Sequence, residues 1–271
     1  MKALKIFIVV IVTLFVSSTT LAFKSSAVIS SIPLYFNTNF ISSFVAIAKT
    51  PLTNSEDTIQ DGLQNDYLQQ VLSEVLDLKS GKVGEIINLF TEANQNWNWT
   101  VQEGILPASY NGTTQLLSGE VLTTLDGTKL SKATNLAVAR TMIHEMVHAY
   151  LTTYFKYDPV NAAKDYPQIL RAWVTQKNPD YNEIQHDEIE KSFVEYIAMA
   201  LKEYSESMSL SFIDDSVYTD LAWGGLDFKN NSQLTDEDKE RIQLRLSAEQ
   251  LNKVFSEGVP VGITTARYTI I

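Results

Sequence analysis

The chain has 271 residues, with 21 Lys and Arg against 32 Asp and Glu, three His and no Cys. A formal charge of −11 argues against a nucleic-acid surface, which needs clustered cations to meet phosphates. The lack of Cys excludes a disulfide framework, a Cys-ligated zinc finger and a lipidated cysteine. Hydrophobic content of 45% is enough for the core of one domain with elaborations.

Residues 1–22 read as a secretory signal. Lys2 and Lys5 supply the positive start, and Ile6 to Val16 is an apolar run broken only by Thr13. Thr20-Leu21-Ala22 places small residues where signal peptidase reads, so cleavage is expected before Phe23. The run is short for a membrane span. The expectation is an exported chain (periplasmic, envelope-associated or extracellular) with no stable span after cleavage; an uncleaved anchor is the alternative. Residues 23–62 read as a lead-in and linker, interrupted by Ser, Asn and Pro and then polar and turn-rich from Thr50 to Gly62.

Helical spacing of Leu68, Val71, Leu72, Val75 and Leu76 predicts a helix over Asp66 to Leu78, stopped by Lys79-Ser80-Gly81. A second short helix is expected over Val83 to Asn94, and both are assigned to packing. Trp97, Trp99 and Val101 alternate with polar residues, as in a half-buried strand. Gly119 to Leu125 is a second strand, followed by a turn at Asp126-Gly127. A strand in this place can be the sheet edge on which a peptide lies, or an ordinary core strand.

Ala133 to Tyr154 carries no Gly or Pro, and Ile143, Val147, Tyr150, Leu151 and Tyr154 recur at helical spacing. Inside it stands His144-Glu145-Met146-Val147-His148, a His-Glu-x-x-His motif. Histidines four apart on a helix lie one turn above each other on one face. Two such imidazoles can bind one tetrahedral zinc and leave its far side open. Glu145 can then take a proton from water at that open side. The competing reading is a surface or core helix whose histidines take no part in chemistry.

A catalytic zinc needs a third protein ligand. His186 is the one histidine remaining, 37 residues beyond His148, at the start of a helix expected to run to about Tyr204. Ile189, Phe193, Ile197 and Ala200 mark that helix's apolar side, which His186 shares. Glu190 is the rival ligand, one turn after His186 on the same face. If His186 ligates, Glu190 becomes a candidate acceptor for an imidazole N–H. Glu188 and Glu195 are expected to be solvated, near Lys191 or Lys202. The metzincin pattern fails because Leu151 and Tyr154 stand where Gly and His are needed. The thermolysin-like pattern fails because Gln168 stands where Glu is needed. Asn161 to Gln176 is expected to be a helix flanking the site.

With these features the chain resembles the SprT-like zinc peptidases. They share a strand and turn leading into Ala133 to Thr141, then the His-Glu-x-x-His helix, then a histidine opening a later helix. It looks closer still to uncharacterised secreted bacterial proteins of Bacteroidetes type. Those pair such a helix with a Gln-His-acidic helix, here Gln185-His186-Asp187-Glu188, and an Ala-Trp-Gly-Gly-Leu stretch, here Ala222 to Leu226. The resemblance spans roughly residues 95–245. It implies an α+β, mainly helical zincin-like fold with a small sheet before the zinc helix; the domain reads as 63–257, and Gly258 to Ile271 reads as a terminal strand or tail. The resemblance implies Zn2+ held by His144, His148 and His186, with Glu145 as general base. The chain departs from the SprT pattern in its longer gap between ligands and in lacking a Cys-rich ribbon or a basic DNA-binding segment, so no role on DNA is carried over.

Trp223-Gly224-Gly225 reads as a tight turn with an aromatic anchor that either packs near the floor of the site or only caps the core, the second being expected. Thr235 followed by Asp238 is a capping-box-like start for a helix over Leu234 to Phe255. The expected activity is hydrolysis of peptide bonds in a protein or peptide substrate. Tyr150, Tyr181, Tyr196 and Tyr218 are candidate donors to the oxyanion. The alternative is a zinc-binding envelope or interaction protein on a peptidase-like scaffold, without turnover. Oligomeric state is not legible.

Overall fold

A computed structural model describes residues 59–91, 97–117, 120–166, 181–210, 213–254 and 259–262. The expected signal over 1–22, the lead-in to residue 58, the later half of the helix expected over 161–176 and most of the 258–271 tail lie outside the described residues. The described chain is mixed α and β, with helices dominating a small four-stranded sheet. Among the described residues no helix is long and apolar enough to cross a membrane.

The sheet has the order β1-β2-β4-β3. β1 (Ile59–Gly62) pairs parallel with β2 (Trp99–Glu103), and β2 pairs parallel with β4 (Glu120–Leu125). β3 (Gly112–Leu117) closes the row antiparallel to β4, with Thr114 opposite Thr123. One expectation changes here, and one open alternative is decided. The linker expected to reach Gly62 gives way at Ile59 to a strand, made there by backbone pairing to Trp99 through Gln102 rather than by apolar pattern. The strand expected over Gly119 to Leu125 lies inside the sheet, not at its edge. The edge on that side is β3, a segment without period-two apolar patterning.

The crossover from β1 to β2 carries α1 (Asp66–Leu76) and α2 (Gly81–Thr91). The Asn65 side chain accepts the N–H groups of Tyr67 and Leu68, starting α1. Leu68, Val71, Leu72 and Val75 are buried, as their spacing predicts. After β4, Asp126 caps the short α3 (Gly127–Leu130), accepting from the backbone of Lys129 and pairing with its ammonium at 3.1 Å.

The long helix α4 (Asn135–Tyr157) is the centre of the unit. Of its 23 residues, 20 are buried, so it is a core rod without a solvent face. The Thr134 hydroxyl caps it by accepting from Ala137. α1, α2 and the sheet face of β3 and β4 pack around it. It ends at Asp158, which caps α5 (Pro159–Asp165) with Pro in the first turn.

The helix expected to run from His186 to about Tyr204 is two helices. α6 (Tyr181–Ser192) ends at Phe193, and α7 (Val194–Ser207) begins after it. Phe193 sits at φ −123° and ψ −14°, outside helical geometry, with its ring buried among Tyr150, Tyr166 and Tyr196. Burial of that ring, together with Ile189, Ile197 and Ala200, sets the break. α8 (Asp215–Ala222) and α9 (Asp236–Leu251) complete the set. α9 starts with the capping box that Thr235 and Asp238 predict. Near its end the buried carboxylate of Glu249 accepts from the Thr134 hydroxyl and from the backbone of Val261 and Gly262.

Candidate metal centre

His144 and His148 stand one turn apart on α4, and α6 carries His186 up to them. The three ring centroids form a nearly equilateral triangle with sides of 4.9, 5.0 and 5.4 Å. Their candidate ligand atoms all lie within 4.8 Å of one another. The Nε2 atoms of His144 and His148 face each other at 3.2 Å. Two nitrogens each about 2.0–2.1 Å from a tetrahedral ion are about 3.3 Å apart, so this spacing fits a shared metal. Three histidines are thus close enough to bind one metal ion.

His148 is oriented through its other nitrogen. Its Nδ1–H donates to Gln185 Oε1 at 2.7 Å, which leaves Nε2 as the lone-pair atom. Gln185 is the residue before His186, so one turn of α6 supplies a third imidazole and the group that orients the second. Glu190 does not take this role. Its carboxylate accepts from the Asn231 side chain, away from the imidazoles. Glu188 accepts from Ser192, and Lys202 pairs with Asp215 rather than with a glutamate of its own helix.

Burial and the charge of neighbouring His186 push the His148 imidazole down to about 3, against the hydrogen bond to Gln185. Burial, the other two histidines and Arg140 hold His144 well below the ordinary range, and burial lowers His186 against the charge of Asp187. All three imidazoles are therefore neutral near pH 7, the form that ligates metal.

Glu145 is 5% exposed, and a hydrogen-bonded row crossing the sheet holds its carboxylate. Thr114 Oγ1 on β3 donates to Glu145 Oε2 at 2.8 Å. That uses the one hydroxyl proton of Thr114, so at their 2.6 Å contact Thr123 is the donor to Thr114. Thr123 in turn accepts from Trp99 Nε1 at 2.8 Å. Strands β2, β4 and β3 thus each contribute one member. Burial pushes the Glu145 carboxyl up to about 7, against the pull of Thr114 and the positive charge of Arg140.

Around these groups opens a cleft of about 710 Å³, with α4 as one wall, β3 as another and the end of α9 opposite. Volumes of about 300–1,000 Å³ suit ligands from drug-sized molecules to short peptides. Two glycines bring backbone against the reactive side chains. A Cβ on Gly112 would come within 2.9 Å of Glu145 Oε1. Gly225, at φ +92°, would place a Cβ 3.1 Å from His144 Cε1. The Trp223-Gly224-Gly225 turn therefore packs on the site rather than capping the core elsewhere.

No family model matches the sequence, and neither a curated protein nor a solved structure matches it. The chemistry of the cleft must be read from its own residues. Of the tyrosines expected as oxyanion donors, Tyr150, Tyr196 and Tyr218 do not line it, and the side chain of Tyr181 lies outside the described residues. Tyr150 is stacked on Tyr154 and packed against Trp97, and Tyr196 packs on Phe193. The sequence reading missed Thr114, Gln185 and Arg140. Arg140 had a visible signal, because it continues the His144 and His148 stripe by one further turn.

Proposed function

We propose that the chain is a metal-dependent hydrolase of peptide bonds, and that zinc is its metal. The observation that carries this is the convergence of three neutral imidazoles from two helices beside one buried carboxylate, all opening onto a single cleft. A three-imidazole set with no thiolate and no carboxylate suits zinc. Bound there, the ion supplies Lewis acidity, polarising a carbonyl and bringing the pKa of water to about 7.

The protein's own groups do the rest. His144, His148 and His186 would hold the ion, and Gln185 fixes the tautomer of His148. Glu145 takes a proton from the attacking water and returns it to the leaving amine. Its place beside the three imidazoles lets it serve both halves of that exchange, and the Thr114 hydroxyl keeps it aimed. β3 offers an edge strand along the cleft, where an extended peptide can pair with backbone groups. The SprT-like zinc peptidases are the family whose arrangement this reading shares.

Metal analysis of wild type beside His186→Ala and Glu190→Ala tests the site. Stoichiometric zinc is expected in wild type and Glu190→Ala and is expected to be lost in His186→Ala. Glu145→Gln should keep zinc and abolish cleavage of a peptide library; full activity in that variant would overturn the assigned base.

A further inference from the structure

The cleft is lined by one permanent cation, and hydrolysis as described above does not use it. Arg140 stands one turn before His144 on α4 and is 7% exposed. Its Nε is buried without a hydrogen-bond partner. None of the ion pairs among the described residues includes it. Glu145 acts on it through charge alone, without a bond. Gly224 lies directly on the guanidinium, where a Cβ would come within 2.7 Å of Cζ and Nε. The next residue, Gly225, lies on His144, so one stretch of backbone covers the guanidinium and a metal-site imidazole side by side.

Burying a guanidinium without a partner is costly. A chain with 32 acidic residues has ample carboxylates to place beside it. A cation left unpaired at the wall of a cleft is best explained by an anion that arrives with the ligand. We infer that Arg140 is a carboxylate-binding subsite, and that this cleft takes peptides carrying a free carboxylate close to the bond presented to the three histidines. The planar fork of a guanidinium matches the two oxygens of a carboxylate. Burial brings the group down only to about 10, so it stays charged at neutral pH. The carboxylate belongs either to the peptide C-terminus or to an Asp or Glu side chain. That the carboxylate is a peptide's rests on the hydrolytic reading; the anion subsite itself does not.

The test uses the metal-free full chain, so that a carboxylate cannot be read out through metal. N-acetyl-trialanine, its C-terminal amide, and amides carrying Asp or Glu at the central position are titrated by calorimetry. The free acid should bind at least about tenfold more tightly than the plain amide, as a charge-assisted pair requires. The Asp and Glu amides regain that affinity if side chains are the source and stay weak if the C-terminus is. Arg140→Gln should remove the difference between acid and amide with an unchanged circular dichroism spectrum. Arg140→Lys, which keeps the charge and loses the fork, should reduce it. If Arg140→Gln does not fold, the wild-type comparison and Arg140→Lys decide. Equal binding of all four peptides by wild type overturns the subsite, as does no binding of any up to about 10 mM, or a difference that survives in Arg140→Gln. Cleavage by the zinc-loaded protein is scored separately. Cleavage without carboxylate preference defeats the subsite alone, and carboxylate preference without cleavage defeats hydrolysis alone.

Discussion

Replacing Thr114 with Val removes one hydroxyl and almost no volume. The Glu145 carboxylate loses the side-chain donor held 2.8 Å from Oε2. A hydrogen bond to a charged group contributes about 1.5–3 kcal/mol, and one pKa unit is about 1.36 kcal/mol. The Glu145 carboxyl should therefore rise by about one to two units above its wild-type position of about 7. The sign follows from proton counting. A folded pKa above the unfolded one means that the native state keeps a proton the unfolded chain has released. This stabilisation is complete below the unfolded pKa and is lost as pH rises through the folded one. In wild type the loss ends near pH 7 to 8; in Thr114→Val it should continue for about one to two further units. Urea unfolding of both metal-free proteins between pH 5 and pH 9.5 measures this directly. The gap between them should widen by about 1.5–3 kcal/mol towards the alkaline end. Parallel stability curves would show that Thr114 does not hold the carboxylate.

Gln185→Ala removes the acceptor for His148 Nδ1–H, and zinc affinity measured by chelator competition should fall about 10–100-fold while the fold persists. Gly225→Ala meets both a φ of +92° and the His144 ring. It should cost more than about 1 kcal/mol of stability and weaken zinc binding, whereas a variant as stable and as tightly metallated as wild type would contradict the close approach. Acid should destabilise the metal-free protein. The three imidazoles have lowered folded pKa values, so the unfolded chain takes up as many as three protons below about pH 6.5, against one retained by native Glu145. Denaturant midpoints should fall between pH 6.5 and pH 4.5, and flat midpoints would refute the buried neutral imidazoles. Arg241→Ala leaves the carboxylate of Asp220 buried without its cation. Because Arg241 is half exposed, the expected loss is about 1–3 kcal/mol, read from the urea midpoint.

What the sequence made legible is what local spacing determines. The two histidines of α4 share a face because four residues make about one turn. α1 buries its helical-spaced apolar residues, and Thr235 with Asp238 starts α9 as a capping box. His186 could be proposed as a partner because an incomplete metal site made a third histidine worth seeking, and its position beside the others depends on tertiary packing. The parts that stayed hidden depend on pairing across distance. β1 is polar and is a strand only because Trp99 to Gln102 lies beside it. β3 has no apolar alternation, so neither the edge nor Thr114 was visible. The break at Phe193 follows from where its ring is buried, which helical periodicity does not encode. Gln185 was visible as a neighbour of His186, but its role requires knowing that His148 lies across from it.

Glu249 moors two distant parts of the chain to one point. Its carboxylate gathers the hydroxyl that starts the ligand-bearing helix and the backbone of Val261 and Gly262. A chain trimmed before Val261 would keep every imidazole and Glu145. It would nevertheless leave an anchored acid in the interior short of two donors, leaning on the first turn of the helix that carries His144 and His148. Val261 and Gly262 thus brace, through one shared acid, the starting turn of the helix on which His144 and His148 stand.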